Sequence, residues 1–194
     1  MTASVPSIKA TGFQGAADDL ARLLDSGRLS QAELEKRLEQ RDLHYLGKHL
    51  AASSWVPIDT YVRVGNILGE LEARGDVPGY FRARGRRAAE RLHKAGLYKQ
   101  FEATAENWGK RAGRIATTLS SVLYNFTRWT FETQEGRHPF QIVIDDAREF
   151  PELLRFVGEG FIEYTSRNQS GGREVRVTSA RVSPDRIVYT VEID

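Results

Sequence analysis

Residues 140–193 read FQIVIDDAREFPELLRFVGEGFIEYTSRNQSGGREVRVTSARVSPDRIVYTVEI, and the hydrophobic period changes twice along them. Phe140 to Ile144 is a short apolar run with β-branched residues, the pattern of a strand. From Pro151 the period lengthens, with Leu154, Val157, Phe161 and Tyr164 at the three- and four-residue spacing of a helix, until Ser170-Gly171-Gly172 stops it. Glu174 to Val182 and Arg186 to Ile193 return to alternation, joined by Ser183-Pro184-Asp185, whose proline presets φ at the second position of a type I turn. Just upstream, Asn125 to Thr133 sets Thr127, Trp129 and Phe131 on one face and Phe126, Arg128 and Thr130 on the other. Gln134 to His138, which contains Gly136, joins that run to Phe140 as a hairpin. The order is therefore strand, strand, helix, strand, strand. Two hairpins about one amphipathic helix predict a single four-stranded antiparallel sheet with one protected face.

Everything before Tyr124 reads as helix. Ala17, Leu20, Ala21, Leu23 and Leu24 recur at helical spacing up to Ser26-Gly27, and Ser30 with Glu33 forms a capping box that opens a short second helix. Leu43, Leu46 and Leu50 keep the same period, and Trp55 and Pro57 mark a boundary. Asp59 or Thr60 then caps a helix with Tyr61, Val64, Leu68 and Leu71 on one stripe. After Gly75-Asp76, Val77 to Ala95 places Phe81, Gly85, Ala88, Leu92 and Ala95 on a narrow face whose small residues allow a close helix contact. Glu106 to Leu123 follows, with Trp108, Ala112, Ile115, Leu119 and Val122 on its inner side. The expected fold class is α+β, an N-terminal helical layer packed on a C-terminal four-stranded antiparallel sheet of ββαββ order. Residues 1–12 are expected to be a flexible lead-in and 13–194 one domain, helical over 13–123 and sheet-forming over 124–194. No internal repeat of useful length is present.

The balance of 40% hydrophobic and 28% charged residues suits a folded core with a soluble surface. The formal net charge of +2 is too small to steer the whole molecule onto nucleic acid or an anionic membrane, so such binding would need a local patch. With no cysteine, disulfides, thiolate metal sites and cysteine nucleophiles are excluded. The first residues lack the charged start and apolar run of a secretion signal, and no stretch approaches a membrane span, so a cytoplasmic location is expected.

Catalytic chemistry finds little to build on. His44 and His49 are five apart, off the i, i+4 spacing that shares one metal, and His93 and His138 stand alone. Ser53, Ser54, Ser120 and Ser121 lack a nucleophile elbow. Asp145 and Asp146 are adjacent at a strand end and so point to opposite faces, and no glycine-rich phosphate loop occurs. No catalytic residue, metal site or cofactor is expected, and the reading is non-enzymatic.

Two groups of residues remain. Arg84, Arg87, Arg91 and Lys94 fall in one sector of their helix, away from Phe81, Ala88 and Leu92, and make a basic stripe able to meet nucleic-acid phosphates or an acidic partner. The ordinary role of such a face is solvation. The aromatics Trp55, Tyr61, Tyr124, Trp129 and Phe161 gather where helices give way to strands. Core packing accounts for most aromatics of this kind, while an apolar cavity with a few polar tips is what a small-molecule site looks like. Arg128 and Arg181 on the strands are the candidate tips.

The sequence of elements, with Leu123-Tyr124-Asn125-Phe126-Thr127-Arg128-Trp129 entering a strand and Gly158-Glu159-Gly160-Phe161-Ile162-Glu163 inside the helix that follows Pro151, resembles the heme-nitric-oxide-binding-like superfamily over roughly residues 55–194. That superfamily includes four-vinyl-reductase-type small-molecule-binding domains and a group of trafficking subunits. The resemblance implies helices packed on an antiparallel sheet, a non-enzymatic ligand-binding or scaffold role, and frequent dimers. The Tyr-x-Ser-x-Arg signature for heme propionates is echoed in part by Tyr164-Thr165-Ser166-Arg167-Asn168, with Asn168 where arginine belongs. No upstream histidine stands at a convincing proximal position, so the resemblance is to a member without heme. The expected function is a signalling or adaptor domain that holds a small hydrophobic ligand at the helix–sheet junction, or presents that surface to a protein partner or a second copy in a homodimer. Binding through the basic helix and heme-based gas sensing are the alternatives.

Overall fold

A computed structural model describes residues 5–46, 50–96, 108–132 and 139–193. They divide into two compact units, residues 1–77 with 123–125, and residues 78–122 with 126–194. In this division two of the helices that precede residue 124 cluster with the sheet.

In the first unit β1 (Ser7–Lys9) pairs antiparallel with β2 (Trp55–Pro57), with Ile8 opposite Val56. Four helices accompany them, α1 (Ala10–Asp25), α2 (Gln31–Arg37), α3 (Gln40–Leu43) and α4 (Ile58–Glu72). The expected loose lead-in is therefore in part a strand. Ser7 and Ile8 are buried, and Ile8 also bridges Tyr124. The side-chain carboxamide of Asn125 extends this pairing: its Oδ1 accepts from the Ser7 N–H at 2.7 Å and its Nδ2 donates to the Val5 carbonyl at 3.0 Å. The core takes Leu20 and Leu23 from the predicted stripe of α1 and adds Phe13, while Ala21 of that stripe is exposed; from α4 it takes Tyr61, Val64 and Leu68, and Phe13 meets Tyr61 edge-on at 6.3 Å. The predicted capping box is present, the Ser30 hydroxyl accepting from the Glu33 N–H at 3.2 Å while the Glu33 carboxylate accepts from the Ser30 N–H at 3.0 Å. Hydrogen bonds from Ser30 hold the Glu33 carboxyl below its ordinary value.

The second unit contains nearly all of α5 (Val77–Lys94), most of α6 (Trp108–Leu123), and β3 (Arg128–Glu132), β4 (Phe140–Asp145), α7 (Glu152–Gln169), β5 (Val175–Ser183) and β6 (Arg186–Ile193). A 3-10 turn, Ala147–Glu149, links β4 to α7. The sheet order is β3-β4-β6-β5, antiparallel throughout. Central β4 and β6 supply the most deeply buried residues, Ile142, Ile144, Ile187, Tyr189 and Val191. Helix α7 ends where expected, since Gly171 and Gly172 take positive φ (75° and 88°), which side chains with a Cβ resist. Strand β3 is shorter than predicted. The inner face of α5 consists of Phe81, Gly85 and Ala89, and Ala95 is exposed, because the helix rotates to set Gly85 against α7.

Candidate functional site

Register and alternation assign the sheet residues to faces. One row runs Phe131, Ile142, Tyr189, Ser179 and the next Trp129, Ile144, Ile187, Arg181, all on the inner face. Helix α7 lies on that face, and glycine makes it possible. At Gly158 an added Cβ would strike the Tyr189 ring, whose hydroxyl donates to the Arg155 carbonyl of α7 at 3.2 Å. Trp129 stacks on Tyr189 at 6.0 Å and 17° and meets Phe150 edge-on at 5.8 Å. Towards β3, Phe131 presses against Gly113 of α6 and packs on Phe140 at 5.2 Å. The helix–sheet junction within this unit is thus occupied by ring-on-ring and ring-on-glycine contacts.

A second device joins α5 to α7. Gly85 lies against the Val157 backbone and Gly160 against the Arg82 backbone, so the two helices cross at main-chain contact. On either side of the crossing, Arg82 pairs with Glu159 and Arg86 with Glu163, the latter at 2.9 Å. Glu159 is only 2% exposed and also accepts from the Ser179 hydroxyl of β5. Arg155 reaches the same carboxylate at 3.6 Å and donates to Ser179 Oγ at 2.7 Å, then pairs with Glu152 at 2.6 Å. Burial pushes the Glu152 carboxyl up, but hydrogen bonds from Arg181 and Arg155 outweigh it and leave it lowered. A charged ladder therefore runs along α7 from Glu152 to Glu163, bound to α5 on one side and β5 on the other. Sequence reasoning passed over it, because only the tertiary fold brings Arg82 and Ser179 to one carboxylate 77 and 20 residues away.

The predicted ligand-binding residues distribute between the units. In the first, Trp55 is 39% exposed on β2 with the Lys9 ammonium over its ring at 3.7 Å, and Tyr61 is core. Tyr124 belongs to the β1 neighbourhood, and burial pushes its phenol up, so it stays neutral. In the second, Trp129 is inner-face packing and Phe161 is half-buried on α7. The two candidate polar tips do not share a face, because Arg128 precedes Trp129 and strand alternation turns it outward. Arg128 is an exposed partner of Asp145 at 3.5 Å. Arg181 is on the inner row but fully engaged, donating to the carbonyls of Ala147 (2.9 Å), Pro184 (3.1 Å) and Phe150 and to Glu152 at 2.8 Å. It anchors the β4–α7 connection rather than tipping a pocket.

Of the basic stripe, Lys94 pairs with Glu90 at 2.7 Å, Arg84 donates to the Tyr80 hydroxyl at 3.1 Å, and Arg87 and Arg91 are exposed. His44 lies edge-on to Tyr45 at 5.6 Å and His93 edge-on to Tyr164 at 6.4 Å. His49 and His138 lie outside the described residues. No group of three His, Cys, Asp or Glu with metal-holding geometry occurs among the described residues, and no described helix is long and apolar enough to cross a membrane.

Comparison with known proteins returns no matching family model and no matching curated protein. Solved structures do match. An Fe(II) unliganded H-NOX protein from K. algicida superposes with a TM-score of 0.62 at 10% identity, covering 96% of this chain and 97% of that one. An H-NOX protein from S. oneidensis in the Fe(II)NO ligation state gives 0.63 at 10% identity over 96% and 99%. A point mutant of the T. tengcongensis H-NOX gives 0.63 at 11% over 96% and 98%. The fold of this chain is the H-NOX fold, helical in its N-terminal region with a C-terminal antiparallel sheet.

Proposed function

We propose that this H-NOX-fold chain is a sensor domain, which responds to a small molecule and passes the change to a partner rather than transforming the molecule. The observation that carries the reading is the likeness to H-NOX structures over 96% of the chain. Those neighbours are described as Fe(II) and Fe(II)NO states, and so support heme-based gas sensing better than the heme-free binding of an apolar ligand or a partner protein.

The described residues fit a heme poorly, because they offer few axial donors. Its iron takes an imidazole, thiolate, thioether or phenolate from the protein. The chain has no cysteine, and its one methionine is Met1. The second unit offers one described imidazole, His93, which continues the α5–α7 seam and packs on Tyr164. Helix α6 carries neither histidine nor tyrosine. The partial propionate signature fails as well. Tyr164, Ser166 and Asn168 lie in one unbroken helix, so that Tyr164 is half-buried, Ser166 buried and Asn168 exposed. At about 100° per residue, residues two apart lie on nearly opposite sides and cannot converge on a carboxylate.

The architecture supports the sensor reading. Expression with a heme precursor, followed by visible spectroscopy and native mass spectrometry, tests it. A Soret band that shifts on addition of NO establishes the gas-sensing form. An apolar molecule bound without a Soret band establishes the heme-free form. A ligand-free protein that takes up neither hemin nor a hydrophobic probe overturns the reading.

A further inference from the structure

The chain crosses between the two units three times, after Val77, after Val122 and after Asn125. Residues 123–125 therefore belong to the first unit, although most of α6 before them and all of β3 after them fold with the second. What holds so short a segment there is β1. Ile8 bridges Tyr124, and Asn125 meets the same strand with three groups. Its backbone N–H donates to the Ser7 carbonyl at 3.3 Å, its Oδ1 accepts from the Ser7 N–H at 2.7 Å, and its Nδ2 donates to the Val5 carbonyl at 3.0 Å. A carboxamide carries the donor and the acceptor of a peptide group, so this side chain continues the pairing where the backbone bends out of it. Beyond Asn125 the chain is gripped by the second unit. Phe126 packs on Phe150 at 6.3 Å, and Trp129, stacked on Tyr189, donates its indole N–H to Thr127 Oγ1 at 3.0 Å. Phe131 then presses against Gly113 of α6, which ties the strand after the segment to the helix before it.

We propose that Asn125 is a releasable clasp, whose opening frees β1 together with the C-terminal end of α6 and the start of β3 in one step. Water competes for the exposed carboxamide, and β1 offers only three residues to β2 on its opposite edge, a pairing too short to be stable alone. Each hydrogen bond of this kind favours the closed form by roughly fivefold. Opening the clasp is therefore a low-cost local event rather than global unfolding. The clasp needs no ligand, so its test stands apart from the sensor reading.

The test is amide hydrogen exchange of the full chain, followed by mass spectrometry, in the parent, Asn125→Ala and Asn125→Asp. Alanine removes both side-chain bonds, whereas aspartate keeps the acceptor for the Ser7 N–H and loses the donor to Val5. In the alanine variant, exchange is expected to speed up on the order of tenfold in residues 5–9 and to the same degree in 119–131, while α4 and the β5–β6 hairpin keep their parent rates. The aspartate variant is expected to give the same pattern at smaller amplitude, and it decides the question if the alanine variant does not fold. Faster exchange confined to one of the two segments, faster exchange spread evenly over the whole chain, or parent rates in both segments overturns the proposal.

Discussion

Replacing Gly160 by alanine tests the crossing on which the second unit is assembled. A Cβ at this position would stand 2.7 Å from the Arg82 carbonyl carbon and 3.0 Å from its Cα, and nearer still to the oxygen, where ordinary contact begins at 3.4 Å. Both obstructing groups are backbone, so no rotamer change relieves them. Restoring contact distance at the carbonyl carbon alone parts the helices by about 0.7 Å. That separation stretches the pairing of Arg82 with the buried Glu159. An unobstructed Gly-to-Ala change inside a helix gains about 1 kcal/mol, whereas overpacking costs about 1–3 kcal/mol and a weakened buried ion pair adds to the cost. The expected balance is a loss of about 2 kcal/mol, or roughly 4–8 °C in Tm for a chain of this length. Thermal and urea unfolding followed by circular dichroism measure it, with Gly12→Ala as the control. There the nearest obstruction is the end of the Ile8 side chain at 2.9 Å, which can turn aside. Gly12→Ala should therefore be neutral or up to about 1 kcal/mol stabilising. If Gly160→Ala proves as stable as Gly12→Ala, the close crossing does not exist and the account of the α5–α7 seam is wrong.

Asp42 of α3 is fully buried and accepts from Thr60 Oγ1 at 2.6 Å, Arg63 Nε at 2.6 Å and the Glu39 N–H at 2.9 Å. Burial pushes its carboxyl up, but those hydrogen bonds outweigh burial and hold it below the ordinary 3.8. Its stabilising contribution is therefore complete above that value and fades as pH falls through the lower folded one. Asp42→Asn should cost about 3 kcal/mol near neutrality and flatten the acid limb, read from urea midpoints across that range. Arg181→Ala should cost about 2 kcal/mol, since it strips donors from two carbonyls of the β4–α7 connection, Ala147 and Phe150, and from Pro184 in the β5–β6 turn. Arg128→Ala should cost under about 1 kcal/mol, because its ion pair is exposed. Equal costs in the two unfolding curves would refute the assignment of one as an anchor and the other as surface.

What could be read along the chain was whatever depends on local period and turn chemistry. Leu154, Val157 and Phe161 specified a helix, the alternating runs on either side of Pro184 specified a hairpin, and Ser30 with Glu33 specified a cap, because each is settled within a few residues. The same locality gave the ββαββ order and, through it, the resemblance to the H-NOX fold. Only the tertiary structure decided what those elements do to one another. Gly85 stands on a small-residue face open to a close helix contact, but only the fold sets it against Val157 of α7 and sets Gly160 against Arg82, Glu159 gains its partners from α5 and β5, and Arg181 is turned from a free tip into an anchor by carbonyls that the β4–α7 connection brings within reach. Asn125 is likewise a plain polar residue until β1 arrives beside it. The physical reason is that burial and charge pairing depend on distance in space, which a period of two or 3.6 residues does not encode.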